Sequence, residues 1–535
     1  MDILPADLLL LACTRLEGGR MRERRRWPYV TAAVLVPVVA AGVTVWALRT
    51  KGSPEETARD FLAAWSRSDY AAMRTLAADP PAGFESTYRR FHDDLKLTGQ
   101  RFQVTNVQDD TVRFRARLTG PLPIAYDGRL RLVERDRAWK VAWTSTAIHP
   151  RMGDGVRAKL TTVPAERAPI TDADGTRIDT PDAPGSVQQI VEGLREQYAS
   201  RLAGTASARA DLVDTRTNTK VATLAEGGSK PGKPLPTTLD LRVHQAGAQA
   251  LEGVDKPASL VALRPSTGEV LAVVNKPGGY NRALLGTYPP GSTFKIVTAS
   301  ALVAGGVTPG QTVECPAEKT IGGFPFHNAE FHDYGTLRFV DAFAHSCNTT
   351  FGDMAVRRLG ADRLSKVAAD FGFGASIKIG VPAVDAAFPA PHDDTDLASA
   401  AIGQGRVLAS PLNMAAVAGA IAAGTWRQPR LVPASLVPDG GTPPRALEPA
   451  VVSALRRLMP AVVSEGTASS VSFPAGTAGK TGTAEYGSAE DGQNPPTHSW
   501  FIGYKGDLAF AVVVEGGGTG AQVAAPVAAR FLNAL

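Results

Sequence analysis

The sequence PPGSTFKIV at residues 289–297 decides how the rest of the chain is interpreted. Its two prolines and its glycine end whatever element precedes them, and the helix-forming residues that follow predict a helix that begins close to Ser292. Ser292 and Lys295 then lie one turn apart on the same face of that helix. On its own this S-x-x-K pattern is common, and a helix start with an exposed lysine explains it equally well.

A serine hydroxyl beside a lysine amine can act as an activated nucleophile. The hydroxyl is weak until a base takes its proton, and a desolvated lysine with a lowered pKa can be that base. The start of the helix adds partial positive charge beside an anion that forms at Ser292. The pair therefore predicts covalent catalysis if further motifs support it.

Two later stretches support it: SCN at residues 346–348 and KTGT at residues 480–483. S-x-x-K, S-x-N and K-T-G in this order, with wide gaps, are the signature of active-site-serine penicillin-recognising enzymes. The chain resembles the transpeptidase domain of class B penicillin-binding proteins, closely over roughly its last three hundred residues and more loosely elsewhere. YNRA at 280–283, GQG at 403–405 and SWFIG at 499–503 agree with this resemblance.

The resemblance, together with side-chain chemistry, predicts four catalytic residues. Ser292 is the acylated nucleophile, and Lys295 in its neutral form is the general base, a role that contributes about 10²–10⁴ in rate. Ser346 is expected to relay a proton between Lys295, Lys480 and the departing amine. Lys480 adds positive charge that helps to keep Lys295 deprotonated and attracts a terminal carboxylate.

Four further residues are predicted to bind the substrate. Asn348 can hydrogen-bond an amide as both donor and acceptor, and the hydroxyls of Thr481 and Thr483 can bind the same carboxylate as the KTG lysine. Gly482 leaves room for an extended peptide to add to the strand. By family analogy, the oxyanion hole is formed by the backbone N–H groups of Ser292 and Thr483, and losing one such donor costs about 3 kcal/mol.

The reaction that the resemblance implies is D,D-transpeptidation. The enzyme would attack the D-Ala-D-Ala end of a peptidoglycan stem peptide, release D-alanine and pass the acyl group to an amine of a neighbouring stem. β-Lactams would acylate Ser292 as mimics, and neither a metal nor an organic cofactor is required. Two alternatives stay open: a serine β-lactamase or carboxypeptidase, and a scaffold or low-affinity resistance variant with little turnover.

Composition and charge indicate a folded protein with several domains. A chain of 535 residues is too long to form a single ordinary hydrophobic core. The net charge of +5 gives no support for nucleic-acid binding, because no basic helix is interleaved with aromatic residues.

The chain has three cysteines. A bridge between Cys315 and Cys347 is possible, but a buried, apolar Cys347 is the favoured interpretation. The segment 327–332 is interpreted as a loop, because its histidines lack helical zinc spacing.

The N-terminal region predicts a membrane anchor. Residues 28–48 are almost continuously apolar and long enough to span a bilayer, and the arginines before them place residues 1–27 in the cytoplasm. The chain would then be a single-pass bacterial membrane protein with an extracytoplasmic catalytic domain, able to contact other proteins of cell-wall synthesis. A cleaved signal peptide and a start at Met21 are the alternatives for this region.

The expected fold has three parts after the anchor. Residues 53–150 predict a small α+β domain, since two amphipathic helices precede a run of alternating strands, and its layout resembles the cone-shaped, nuclear-transport-factor-like extension of methicillin-resistance enzymes. Residues 151–232 resemble the non-catalytic pedestal of class B enzymes. Residues 233–535 are expected to form the α/β transpeptidase domain, an antiparallel sheet with helices covering both faces.

Overall fold

The structure, a computed structural model, describes residues 51–488 and 495–535. The predicted anchor at 28–48 lies outside the described residues. Among the helices that are described, none has the length and apolar character needed to cross a membrane.

Helices and strands alternate along the described chain. The helices are α1 (Pro54–Ser66), α2 (Tyr70–Leu76), α3 (Phe84–Asp94), α4 (Gly185–Gln197), α5 (Ala199–Ala203), α6 (Leu241–Ala250), α7 (Arg282–Leu285), α8 (Lys295–Ala304), α9 (Phe339–Ala344), α10 (Asn348–Met354), α11 (Gly360–Asp370), α12 (Asp394–Ala401), α13 (Pro411–Ala423), α14 (Pro449–Ser464) and α15 (Ala525–Asn533). The strands are β1 (Ala77–Ala78), β2 (Gly99–Gln108), β3 (Thr111–Thr119), β4 (Ile124–Arg135), β5 (Ala138–Ala142), β6 (Val156–Val163), β7 (Ile170–Thr171), β8 (Ser207–Asp214), β9 (Lys220–Glu226), β10 (Leu235–Pro236), β11 (Ala258–Arg264), β12 (Glu269–Lys276), β13 (Thr312–Cys315), β14 (Glu318–Ile321), β15 (Phe324–His327), β16 (Gly335–Arg338), β17 (Thr425–Trp426), β18 (Arg445–Ala446), β19 (Ala478–Glu485), β20 (Thr497–Lys505) and β21 (Leu508–Val514).

The elements belong to two compact units that do not follow one another simply along the chain. The first unit contains the described residues up to 163 together with 207–228, and the second contains 164–206 and 229–535. The polypeptide therefore leaves the first unit after β6 and returns to it for β8 and β9.

The first unit is a five-stranded sheet with helices and a smaller three-stranded sheet. Its strand order is β1-β5-β4-β3-β2, and β6, β8 and β9 form the second sheet. Helix α1 begins where the Ser53 hydroxyl accepts a hydrogen bond from the backbone N–H of Glu56 at 3.1 Å. Its apolar face is buried as the spacing predicts, and the ring of Trp65 stacks on that of Phe102 with centroids 4.2 Å apart.

The second unit is organised around an antiparallel sheet in the order β12-β11-β21-β20-β19. Helices cover both of its faces, which agrees with the expected fold. Gly419 of α13 lies against Ala509, whereas Phe531 of α15 packs against Phe510 with ring centroids 5.8 Å apart. Since neighbouring residues of a strand point to opposite faces, these two helices lie on opposite sides of β21.

Candidate active site

The Ser292 segment begins as a tight turn and continues as a buried helix. Gly291–Phe294 forms a 3₁₀ helix that leads directly into α8 at Lys295, so the predicted helix start near Ser292 is confirmed. The turn is held from behind, because the Trp500 indole N–H donates to the Pro289 carbonyl at 3.1 Å. The side chains of Ser292 and Lys295 thus share one face of the helix start.

The first two motifs meet at the amine of Lys295. Its Nζ lies 3.1 Å from Ser292 Oγ, 2.7 Å from the Ser346 carbonyl oxygen and 3.3 Å from Ser346 Oγ. Asn348 Oδ1 lies 2.6 Å from the same Nζ. One nitrogen therefore joins the S-x-x-K and S-x-N motifs.

The surroundings of Lys295 favour its neutral form. The side chain is fully buried, and this burial holds the pKa of Lys295 well below its usual value, with the nearby Lys480 lowering the pKa further. A neutral amine has two N–H donors and one lone pair. Because the Ser346 carbonyl and Asn348 Oδ1 can only accept, they occupy the two donors and leave the lone pair for the hydroxyl of Ser292.

The third motif lies on the edge strand of the large sheet. Strand β19 stands at the end of the strand order of this sheet and pairs with β20. Lys480 on this strand is buried, and burial lowers the pKa of its amine to about 7. Its Nζ donates to the Thr481 carbonyl at 3.2 Å and lies 5.7 Å from the centre of the Phe343 ring. The site therefore contains two buried lysines that are both easily deprotonated.

The threonines and the glycine of KTGT make close contacts of their own. The hydroxyls of Thr481 and Thr467 lie 2.6 Å apart, and Thr483 Oγ1 accepts from the backbone N–H of Gly520 at 3.2 Å. A Cβ at Gly482 would lie 2.8 Å from the methyl group of Thr293. The glycine therefore lets β19 lie directly against the turn that carries the nucleophile, while peptide addition to this strand stays a prediction.

The GQG stretch supports the same turn. Gly291 has a φ of +53°, and its N–H donates to the Gly403 carbonyl at 2.9 Å. A Cβ at Gly403 would lie 2.1 Å from the Gly291 carbonyl oxygen, and a Cβ at Gly291 would lie 2.6 Å from the Thr483 carbonyl oxygen. These two positions require glycine because three backbone segments converge beside Ser292.

The S-x-N segment is held by a disulfide bond that the sequence interpretation did not favour. Cys315 and Cys347 are bonded, with Cα atoms 6.1 Å apart and a sequence separation of 32 residues. The expected burial of Cys347 is correct, but its interpretation as a free apolar side chain is wrong. Strand β13 brings Cys315 beside the start of α10, a long-range contact that spacing along the sequence does not reveal.

Residues outside the motifs complete the site. The His327 carbonyl accepts from Asn348 Nδ2 at 2.9 Å, and the side chain of Asn328 accepts from the backbone N–H of Asn348 at 2.9 Å. Sequence reasoning interpreted 327–332 only as a loop and gave no role to Thr467. Within the described parts of the chain, no group of three or more His, Cys, Asp or Glu residues could hold a metal ion.

Two family models match the chain. One, described as the penicillin binding protein transpeptidase domain, matches residues 258–533, and the other, described as an NTF2-like N-terminal transpeptidase domain, matches residues 53–156. The second match agrees with the resemblance inferred for the N-terminal α+β region.

Curated proteins and solved structures with similarity to the chain include several transpeptidases. The chain is 32% identical over 375 residues to the peptidoglycan D,D-transpeptidase PbpA of Mycobacterium tuberculosis, covering 59% of this chain and 75% of the relative. The protein of that name from Mycolicibacterium smegmatis is 34% identical over 376 residues, covering 58% and 73%. A D,D-transpeptidase domain from Eggerthella lenta superposes with a TM-score of 0.57 at 25% identity, covering 69% of this chain and 98% of that one. A chain from a peptidoglycan synthase complex superposes with a TM-score of 0.61 at 25% identity, covering 72% and 92%.

Proposed function

Because the chain belongs to the penicillin-binding protein transpeptidase family, we propose that it is a class B penicillin-binding protein that cross-links peptidoglycan stem peptides through an acyl-enzyme on Ser292. The observation that carries the proposal is the position of Lys295 Nζ, 3.1 Å from Ser292 Oγ and within hydrogen-bonding distance of both polar residues of the S-x-N motif. A buried neutral amine at this point is suited to take the hydroxyl proton.

Acylation begins with the peptide bond between the two terminal D-alanines. Ser292 Oγ attacks the carbonyl carbon of the first D-alanine, and its proton passes to Lys295 Nζ. The oxyanion that forms is stabilised by the backbone N–H groups of Ser292 and Thr483. The C–N bond then breaks, the amine of the last D-alanine receives a proton from Lys295 through Ser346, and free D-alanine leaves.

The second half of the reaction returns the enzyme to its starting state. An amine of a neighbouring stem peptide attacks the ester carbonyl, its proton passes to the base, and the bond to Ser292 Oγ breaks as the hydroxyl is protonated again. The product is a new amide cross-link. With water in place of the amine the result would be hydrolysis, so exclusion of water from the acyl-enzyme separates a transpeptidase from a carboxypeptidase or a β-lactamase.

The substrate carboxylate would be bound beside the KTG strand. In its protonated form Lys480 supplies the charge, while the hydroxyls of Thr481 and Thr483 can donate hydrogen bonds to the carboxylate oxygens. Asn348 Nδ2 carries a second N–H besides the one given to His327, and this N–H would donate to the carbonyl of the substrate's amide. A β-lactam would take the same place as the terminal dipeptide.

We place the catalytic domain on the outer face of the bacterial membrane, anchored by residues 28–48. The apolar composition of that segment supports this placement, and the Cys315–Cys347 disulfide is typical of an oxidising compartment. Likeness to a chain of a peptidoglycan synthase complex supports a partner among the proteins of cell-wall synthesis.

Intact-mass spectrometry of the full chain in detergent, incubated with penicillin, tests the function. We expect a persistent adduct of one drug molecule in the native protein and in Ser86→Ala, which alters an exposed serine of the first unit, and no adduct in Ser292→Ala. Rapid loss of the adduct would indicate a β-lactamase instead. If no adduct forms, release of D-alanine from a D-Ala-D-Ala peptide separates a low-affinity transpeptidase from an inactive scaffold.

A further inference from the structure

Asn328 is a buried residue outside the three motifs, and both ends of its side-chain amide are used. Only 2% of the residue is exposed. Its Oδ1 accepts from the backbone N–H groups of Asn348 at 2.9 Å and of Thr349 at 3.3 Å. Its Nδ2 donates to the carbonyl oxygens of Pro316 at 2.9 Å and of His332 at 3.0 Å. One amide therefore ties the start of α10 to two loop segments.

The start of α10 needs such a partner from elsewhere in the chain. The first N–H groups of a helix have no acceptor within the helix, and a polar side chain at the preceding position usually accepts from them. Here that position is Cys347, whose sulfur is in the disulfide bond and, of the backbone N–H groups at the helix start, accepts from that of Thr350, at 3.4 Å. Asn328 supplies the acceptor for the two preceding N–H groups, those of Asn348 and Thr349.

The neighbouring residue holds the side chain of Asn348. The His327 carbonyl accepts from Asn348 Nδ2 at 2.9 Å, which turns Oδ1 of the same amide towards Lys295 Nζ, 2.6 Å away. Residues 327 and 328 thus hold Asn348 by its side chain and by its backbone. A shift of the α10 start would withdraw Oδ1 from the base.

We propose that Asn328 is a positioning residue of this active site, which fixes the start of α10 so that Asn348 Oδ1 stays on Lys295. The inference rests on the proposed function of Ser292 and Lys295 and adds a residue to it. Asn328 acts only through Asn348, so its removal should lower the rate of acylation without removing any reacting group. Because misplacement by about 1 Å can cost about 100-fold in rate, we expect Asn328→Ala to acylate about 10- to 100-fold more slowly.

The test compares two backgrounds with a chromogenic penicillin and the full chain in detergent. Asn328→Ala and Asn328→Asp are measured in the native protein and in Asn348→Ala. In the native background, the aspartate should lose at least about threefold but less than the alanine, because it keeps the acceptor oxygen and loses the Nδ2 donors. In the Asn348→Ala background neither change should slow acylation further, since residues that act as one unit are not additive.

Asn413→Ala is the matched control, because Asn413 is also buried and hydrogen-bonded but contacts Ser410 and Val384 instead of the site. It should lower the melting temperature without a comparable loss of acylation. If Asn328→Ala does not fold, the aspartate variant carries the same comparison. A loss that persists in the Asn348→Ala background, or equal acylation rates for the Asn328 and Asn413 variants, overturns the proposal. If the native protein does not react with the penicillin, release of D-alanine from a D-Ala-D-Ala peptide is measured for the same variants, and the absence of both reactions in the native protein would instead refute the proposed function.

Discussion

Replacing each glycine of the GQG stretch by alanine separates backbone strain from displacement of the nucleophile. Gly403 and Gly405 both have positive φ, +74° and +67°, so either alanine costs about 1–2 kcal/mol for a left-handed backbone. The space available for a Cβ atom differs between the two positions. A Cβ at Gly405 would meet its nearest neighbour, Ser399 Cβ, at 3.6 Å, whereas a Cβ at Gly403 would lie 2.1 Å from the Gly291 carbonyl oxygen.

The two variants should therefore differ in activity more than in folding. Ordinary contact needs about 3.5 Å, so Gly403→Ala must move the Ser292 turn by roughly 1.4 Å and disturb the hydrogen bond from Gly291 N–H to the Gly403 carbonyl. Such overpacking costs a further 1–3 kcal/mol or so. A displacement of this size should lower acylation about 100-fold, while Gly405→Ala should stay within about threefold of the native rate.

Stopped-flow acylation with a chromogenic penicillin and thermal unfolding measure both effects on the same samples. The refuting result is equal acylation by the two variants, which would mean that the Gly403–Gly291 contact does not position Ser292. Equal melting temperatures with unequal acylation would still support the argument about position, and would show that the neighbouring backbone relaxes without loss of stability.

Three further outcomes are expected. The acylation rate should fall as the pH drops through the lowered pKa of Lys295, because protonation removes the base. Lys480→Met should move this fall to higher pH, because it removes a positive charge that lowers the Lys295 pKa. A pH–rate profile that is the same in Lys480→Met and in the native protein would contradict this coupling between the two lysines. Affinity for a D-Ala-D-Ala peptide should weaken as the pH rises through about 7, where Lys480 loses its charge, and pH-independent binding in competition assays would exclude that role. Reduction of the Cys315–Cys347 bond should lower the free energy of unfolding by about 3–4 kcal/mol, because the bond closes a loop with a separation of 32 residues. Denaturant titration with and without a thiol measures this difference.

The parts of the site that the sequence predicts are those with a local spacing or a strong chemical signature. The single-turn separation of Ser292 and Lys295 fixes their common face whatever surrounds the helix. The spacing of apolar residues predicts α1 for the same reason, because these residues recur with the period of a helix. Such patterns depend on neighbours a few residues apart, so they can be interpreted without knowing the fold.

The parts that sequence reasoning missed depend on contacts between distant segments. Asn328 and Thr467 carry side chains common in loops, and only the packing of β15 and of the segment after α14 brings them to Asn348 and Thr481. The disulfide is of the same kind. Cys315 ends a short strand, and its distance from Cys347 is decided by the packing of that strand on α10, which periodicity alone does not specify.

The return of the chain to the first unit has a consequence for the order in which this protein can fold. A polypeptide emerging from its N-terminus completes β6 well before β8 and β9 exist, and β6 pairs with β8. Until residues 207–226 have emerged, β6 has no neighbour in its sheet and presents open hydrogen-bonding groups. The first unit is therefore complete only after all of residues 164–206 have been synthesised. A fragment that ends at residue 163 would lack β8 and β9 and would expose β6 as an unpaired strand prone to aggregation.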